Sequence, residues 1–269
     1  METENVNKTS GRKIAFMILV IICSLFIILY SVMSMMGPSR KLAEIKKEFT
    51  KEQAEKKDGD NKIFSDSGYL RLLKERAFLQ ARIIMAETDS IYLTANLADS
   101  SMNLEISGVV VHKARMSSFK ASRILMKGNE NIISIMLSSP FTISSDFATI
   151  KKEPVMIKMA PKDTSEYKPD IMPDTSITEP VNYVLEMTNG TRIYIYQEEN
   201  EKRSDRMTLF KFDLTDRMRQ TWKAMKSVVM LKVPEYHPFI KIRLPRSDAK
   251  IIYRAIPKNG RISVSLLAV

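Results

Sequence analysis

Residues 181–196 read VNYVLEMTNGTRIYIY, and this stretch carries the clearest local structural signal in the chain. Asn189 and Gly190 tolerate the positive φ angles that tight hairpin turns require. β-branched and aromatic residues, which favour strands, lie on both sides of the turn. The stretch therefore predicts an antiparallel β-hairpin.

The residues on the C-terminal side predict a helix and further strands. Met218, Trp222 and Val229 recur at helical spacing, together with Met225, so we expect one apolar helix face that lies in the core. Charged and apolar residues alternate in Phe239–Leu244, which is typical of a strand. The expected elements are a helix over 216–229, a strand over 239–244 and a second hairpin made of 250–256 and 261–267.

The residues on the N-terminal side of the hairpin also predict both a helix and strands. An apolar stripe predicts a helix over 69–88 that packs on a sheet, and alternation predicts paired strands over 91–97 and 102–106. Strands are also expected over 132–137 and 155–159. Residues 161–180 contain four prolines and five acidic residues, which excludes regular structure there and indicates a linker or a long loop.

Together these patterns predict an α+β fold: an N-terminal transmembrane helix followed by antiparallel β-hairpins with a few packed helices. The expected parts are a short cytoplasmic tail (1–13), the transmembrane helix (14–36), a charged stalk (37–68), a first α+β module (69–160), a Pro-rich acidic linker or loop (161–180) and a second, basic α+β module (181–269).

The membrane segment is the 23-residue run Ile14–Met36, which carries no charge. At about 1.5 Å per residue it measures roughly 34 Å, enough to cross a hydrocarbon core about 30 Å thick. A cleaved signal peptide is the alternative, but its apolar region usually has about 7–15 residues. Basic residues flank the run on both sides, so charge alone does not orient it. A short tail before a single anchor favours an N-in helix, with the C-terminal domain in the bacterial periplasm and the anchor in the inner membrane.

The excess positive charge is concentrated near the C-terminus. The whole chain has a formal net charge of +11, and residues 202–269 hold sixteen Lys and Arg against five Asp and Glu. Such a surface attracts anionic partners. The anticipated anionic-partner patch consists of Lys241, Arg243, Arg246, Lys250, Arg254, Lys258 and Arg261. A solvated basic surface without a dedicated partner is the alternative, and the absence of an RNA-binding aromatic motif disfavours nucleic acid.

Catalytic and metal motifs are weak. The single cysteine, Cys23, lies in the apolar run, which excludes a disulfide framework and a Cys-rich zinc module. Ser117-x-x-Lys120 matches a serine-lysine motif in which the lysine lies one helical turn from the nucleophile. His112 is a conceivable base at a strand end, and His237 is expected in a loop. We expect no cofactor, no metal site and no catalytic residue.

Three stretches carry a partial resemblance to a known group of proteins. Ser90–Leu97, Val109–His112 and Ser247–Pro257 resemble portions of membrane-anchored bacterial envelope proteins that are distantly similar to L,D-transpeptidases. Those enzymes use a nucleophilic cysteine, and the only thiol here is Cys23. The resemblance therefore implies a relative that lacks the catalytic cysteine.

These observations favour a non-enzymatic, membrane-anchored envelope protein whose domain binds an anionic wall polymer or a protein partner in a scaffold or assembly role. Two alternatives stay open: a cell-wall remodelling enzyme related to L,D-transpeptidases, and a subunit of a secretion or motility complex.

Overall fold

A computed structural model describes residues 3–55, 67–128, 136, 139–152, 179–199 and 202–265. The described residues form an α+β protein with a long apolar N-terminal helix. The helices are α1 (Thr3–Glu55), α2 (Ser67–Ala86), α3 (Arg123–Lys127), α4 (Arg203–Val229) and α5 (Arg246–Ala255). The strands are β1 (Tyr92–Asn96), β2 (Ser101–Ile106), β3 (Val109–Arg115), β4 (Ser118–Ala121), β5 (Phe141–Ala148), β6 (Asn182–Met187), β7 (Arg192–Gln197), β8 (Phe239–Leu244) and β9 (Arg261–Ser265).

The nine strands form one sheet in the order β3-β2-β1-β9-β5-β6-β7-β8-β4. Two neighbouring pairs, β1 with β9 and β7 with β8, are parallel, and the other pairs are antiparallel. Strands from the first predicted module and from the second therefore share a single sheet. Most of the predicted linker between the two modules lies outside the described residues.

Two of the three predicted hairpins are confirmed. β6 and β7 pair antiparallel around Asn189 and Gly190, and Gly190 adopts a φ of 80°. The side chain of Asn189 accepts a hydrogen bond from the Thr191 N–H, at 2.9 Å, which fixes the turn. β1 and β2 form the hairpin expected from the strands over 91–97 and 102–106, and Ser100 in its turn adopts a φ of 51°.

The sheet has two apolar faces because side chains alternate along each strand. Ile193, Ile195, Ile240 and Ile242 are buried on one face, where they share the main core with Ile252 and Tyr253 of α5. On the other face a smaller cluster joins Val184 and Tyr196 to Phe212 of α4. Its rings pack closely, with the Phe147 and Phe212 centroids 5.1 Å apart.

The prediction of a strand over 250–256 is wrong, because these residues belong to α5 and the turn after it. Ala249, Ile252 and Tyr253 are buried, and their spacing matches a helix face that packs on the sheet. β9 forms as expected but pairs with β1 and β5. The strands expected over 132–137 and 155–159 lie outside the described residues except for Met136, which is helical.

The helix predicted over 216–229 is confirmed as part of α4, but the expectation that its apolar face lies in the core is wrong. The side chains of Met218, Trp222 and Val229 are all about two-thirds exposed, at 65%, 68% and 68%. The chain divides into two compact units, residues 1–52 with 215–236, and residues 53–214 with 237–269. The exposed face thus belongs to the same unit as α1.

Helix α1 contains the expected membrane segment. The helical segment 13–47 is long and apolar enough to cross a membrane. Its most apolar stretch of 18 residues is not buried inside the protein. By length and composition alone, a signal sequence near the N-terminus also fits this description. The helix continues past Met36 to Glu55, so the first part of the predicted stalk is helical, and residues 56–66 lie outside the described part of the chain.

Candidate functional site

The strongest candidate site is a basic and aromatic surface on strands β4, β7 and β8. In the parallel pairing of β7 with β8, Tyr194 lies beside Lys241 and Tyr196 beside Arg243. In the antiparallel pairing of β8 with β4, Lys120 lies opposite Lys241. Partners in register project from the same face of a sheet. We call this set, Lys120, Tyr194, Tyr196, Lys241 and Arg243, the β8 surface.

Aromatic rings hold the Lys241 ammonium group. Its Nζ lies 5.0 Å from the centroid of Tyr194, 5.6 Å from that of Tyr196 and 5.8 Å from that of Phe239. A cation within about 6 Å of a ring centroid is attracted by the negative face of the ring. The rings partly compensate the charge of Lys241 but leave its N–H groups available for hydrogen bonds with an anion.

The β8 surface borders a depression of about 240 Å³. Lys120, Lys241 and Arg243 line it together with Tyr196, Leu209 and Asp213. The Tyr196 hydroxyl donates a hydrogen bond of 2.9 Å to Asp213 Oδ1, which fixes that carboxylate at one side. The depression thus combines three cations, the aromatic rings of Phe119 and Tyr196, and one carboxylate that already accepts a hydrogen bond.

The two lysines that face each other are the most informative feature of this surface. Like charges directly opposite in an antiparallel pair destabilise the pair. Within the part of the chain that the structure describes, no carboxylate forms an ion pair with Lys120, Lys241 or Arg243. β4 is the edge strand of the sheet, and edge lysines also discourage sheet-to-sheet association. An external anion would relieve the repulsion.

The seven basic residues of the predicted patch do not form one surface. Lys241 and Arg243 lie on the β8 surface. Lys250 and Arg254 lie on α5, which packs on the opposite face of the sheet, and Lys258 and Arg261 follow that helix. Arg246 is engaged internally, because its Nη2 lies 2.6 Å from Asp205 Oδ2 and its backbone N–H donates to Glu199 Oε2 at 2.8 Å. The patch is therefore split.

Lys258 contributes to a second polar cluster, around Lys152. Burial lowers the pKa of Lys152 below its ordinary value; Asp146 opposes this effect and the positive charge of Lys258 adds to it. Lys152 Nζ lies 5.3 Å from the ring centroid of Tyr253, whose hydroxyl donates to Asp146 at 2.7 Å. Burial, followed by that hydrogen bond, raises the pKa of Tyr253. The cluster fixes α5 on the sheet.

The structure does not place Ser117 and Lys120 as the serine-lysine motif requires, and it places both histidines beside other polar groups. Residues 118–121 form strand β4, so Lys120 does not lie one helical turn from Ser117, and the Ser117 hydroxyl donates instead to Glu198. His112 Nε2 lies 3.3 Å from Asp248 Oδ1, and His237 Nδ1 lies 3.0 Å from the Gly190 carbonyl oxygen. Among the described residues, no three His, Cys, Asp or Glu side chains group as metal ligands.

Sequence reasoning missed Lys120, Tyr194, Tyr196 and Asp213 as parts of this surface. The alternation of Ile193-Tyr194-Ile195-Tyr196 places both tyrosines on one face of a strand, which is readable from the sequence. Lys120 was considered only within the serine-lysine motif. Its position opposite Lys241 depends on the pairing of two strands that are far apart in the chain, for which the sequence carries no local signal.

Fold and site together define a class: an α+β protein with an N-terminal helix of membrane-spanning length and a basic, aromatic surface on its sheet. Comparisons with protein-family models, with curated proteins and with solved structures each found no match.

Proposed function

We propose that this chain is a non-enzymatic, single-pass membrane protein of the bacterial envelope, anchored in the inner membrane by residues 14–36. Its C-terminal domain lies in the periplasm and uses the β8 surface to bind an anionic wall polymer in a scaffold role. The facing lysines Lys120 and Lys241 are the observation that carries the proposal, because their repulsion is relieved by a bound anion.

The chemistry of the β8 surface favours a carboxylated polymer over a simple ion. The half-buried Tyr194 ring offers apolar area to a sugar ring or an acyl chain, while the cations bind carboxylates. Several weak contacts along a repeating polymer add up through multivalency. An acidic protein face would supply the same carboxylates, and it is distinguished from the polymer by the binding experiment below.

We expect the variant with Lys120→Gln, Lys241→Gln and Arg243→Gln to bind purified peptidoglycan sacculi about tenfold more weakly than the wild type, since each exposed ion pair contributes roughly 0.2–1 kcal/mol. The full chain in detergent is sedimented with sacculi over a range of protein concentrations. Raising the ionic strength should weaken wild-type binding, because salt screens surface charges.

The matched control removes the same charge from the other basic region, with Lys250→Gln, Arg254→Gln and Lys258→Gln. It should bind sacculi nearly as well as the wild type. Equal losses in both variants would mean that net charge alone acts and would contradict a defined site. If the wild type does not sediment with sacculi, the polymer is not the partner. Release of soluble wall fragments by the wild type would indicate the remodelling enzyme instead.

The proposed topology gives a second expected result. Protease added to spheroplasts should digest the domain after Met36, because the domain faces the periplasm, and should leave a short membrane-embedded fragment. The measurement is an immunoblot against a C-terminal tag, with a cytoplasmic protein as the control for intact membranes. Full protection of the tag, with digestion only after detergent is added, would reverse the orientation.

A further inference from the structure

We propose that residues 222–232, the end of α4 and the turn after it, lie on the same membrane surface from which α1 emerges, with their apolar side chains among the lipid headgroups. This inference rests on the membrane anchoring proposed above and adds a second contact with the same bilayer. Four features of this segment support it: its exposure, its position, its charge and the aromatic residues beside it.

The end of α4 and the turn after it expose a continuous apolar surface. Val229, Met230 and Leu231 are consecutive and 68%, 56% and 73% exposed, and Trp222 lies two turns earlier on the same helix face. Soluble proteins seldom leave such a group uncovered, and exposed apolar patches of this kind mark interaction sites or membrane contacts. The basic residues Lys223 and Lys226 lie beside this apolar stripe, as in helices that lie in a membrane interface.

This apolar surface lies close to α1 within the same compact unit. Gly37, directly after the uncharged span, is buried, and a Cβ placed on it would lie 3.2 Å from the Pro234 carbonyl oxygen and 3.5 Å from Tyr236 Cβ. The backbone after α4 therefore touches α1 where α1 leaves the hydrocarbon. Leu231 is three residues from Pro234, so its Cα lies within about 10 Å of it.

This distance of about 10 Å is comparable to the thickness of the lipid headgroup region. A bilayer about 40–45 Å thick with a core of about 30 Å leaves roughly 5–8 Å of headgroup region on each side. A segment tied to Gly37 by such a short connection cannot move far from this region. Its position is set by the chain's own anchor, which is why a lipid surface, and not a separate protein, is the committed occupant.

Cations and an aromatic residue lie beside α1 directly after its uncharged run. A depression of about 480 Å³ lies between α1 and residues 232–236, lined by Arg40, Lys41 and Lys232 as well as Glu44 and Glu235. Lys41 Nζ pairs with Glu44 Oε2 at 3.2 Å, which leaves Arg40 and Lys232 as the exposed cations for phosphate groups. Tyr236 lines the same depression, and Tyr and Trp are enriched at membrane interfaces.

The single tryptophan of the chain, Trp222, reports directly on this contact. The full chain is reconstituted into vesicles of phosphatidylethanolamine and phosphatidylglycerol, with and without phosphatidylcholine brominated on its acyl chains. We expect the brominated lipid to remove about half of the tryptophan emission, because interfacial helices insert their apolar faces roughly 5–10 Å into the boundary of headgroups and acyl chains. Aqueous acrylamide should quench the same emission poorly.

Two variants complete the test. Val229→Ser, Met230→Ser and Leu231→Ser together should reduce the quenching by brominated lipid at least twofold and increase quenching by acrylamide. Val109→Ser, Val110→Ser and Val111→Ser, which remove a similarly exposed apolar group from the other compact unit, should change neither.

Vesicle flotation separates the inference from the anchoring on which it rests. If the protein floats with the vesicles but Trp222 is quenched only by acrylamide, the surface contact is wrong and the anchor stands. If quenching by brominated lipid is equal in the wild type and the 229–231 variant, the apolar turn is not the inserted element and the inference is also overturned. If the protein does not float, the anchoring and the inference both fail.

Discussion

Arg82→Met is expected to lower the free energy of unfolding by about 3 kcal/mol, because it removes the partner of a buried carboxylate. Glu105 on β2 is 1% exposed, and Arg82 on α2 binds it through two nitrogens, with Nη2 3.0 Å from Oε2 and Nε 3.2 Å from Oε2. Thr94 Oγ1 donates to Oε1 at 2.7 Å, but a hydroxyl alone cannot compensate a buried charge.

The groups around Glu105 make its stability in the core depend on Arg82. Burial and then the negative charge of Glu105 raise the pKa of Tyr92, so the tyrosine stays neutral beside the carboxylate. Removing Arg82 leaves Glu105 with no cation to balance it, although the hydrogen bond from Thr94 stays. The Arg82 side chain is itself about one-third exposed, so water reaches part of the site and the loss falls at the lower end of the range of about 3–5 kcal/mol for broken buried pairs.

Urea unfolding of the full chain in detergent, followed by circular dichroism, measures the change. Arg76→Met is the matched control, since Arg76 is exposed on the same helix, and it should stay within about 0.5 kcal/mol of the wild type. The double variant Arg82→Met/Glu105→Gln should regain most of the loss, because no unpaired charge is left buried. If Arg82→Met and Arg76→Met have equal effects, the ion pair does not stabilise the fold.

The parts of the fold that follow from short-range rules could be predicted from the sequence. The Asn189-Gly190 turn and the alternation in β8 each depend on neighbouring residues alone. The same holds for the long uncharged run 14–36 within the N-terminal helix, whose length and composition are visible without any tertiary information.

The failed strand prediction over 250–256 shows where such rules conflict. Ile251, Ile252 and Tyr253 favour a strand by type, whereas Ala249, Ile252, Tyr253 and Ile256 have the spacing of a helix face. Packing of that face on the sheet decides for the helix, and Asp248 in its first turn agrees with the helix dipole. Tertiary burial overrides β propensity here.

The candidate site depended on information that is not local. Lys241 and Arg243 were identified from charge, but the lysine opposite Lys241 comes from a strand about 120 residues earlier in the chain, and the pairing is visible only in the sheet. The same argument explains the split of the predicted patch, because α5 carries Lys250 and Arg254 to the other side of the sheet. Charge density along a sequence does not determine which face of a sheet displays it.

Three arginines in the apolar helix, Ile21→Arg, Leu25→Arg and Ile28→Arg, are expected to abolish membrane anchoring. The span 14–36 contains thirteen Ile, Leu, Phe and Val residues. At about −0.3 to −0.6 kcal/mol each, the ten that are left contribute roughly −3 to −6 kcal/mol, whereas three central arginines add about +8 to +10 kcal/mol. The sum changes sign, so insertion becomes unfavourable.

Carbonate extraction of membranes tests this expectation: wild-type protein should stay in the pellet, and the arginine variant should appear in the supernatant or be degraded. The control with Ser39→Arg, Leu42→Arg and Ala43→Arg adds the same charge to exposed positions of α1 beyond the span, and it should stay in the pellet, since the uncharged run is intact. The intact mass of the wild-type protein separates an anchor from a signal sequence, because cleavage would remove the span. An arginine variant that resists carbonate as the wild type does would show that another part of the chain holds the protein at the membrane.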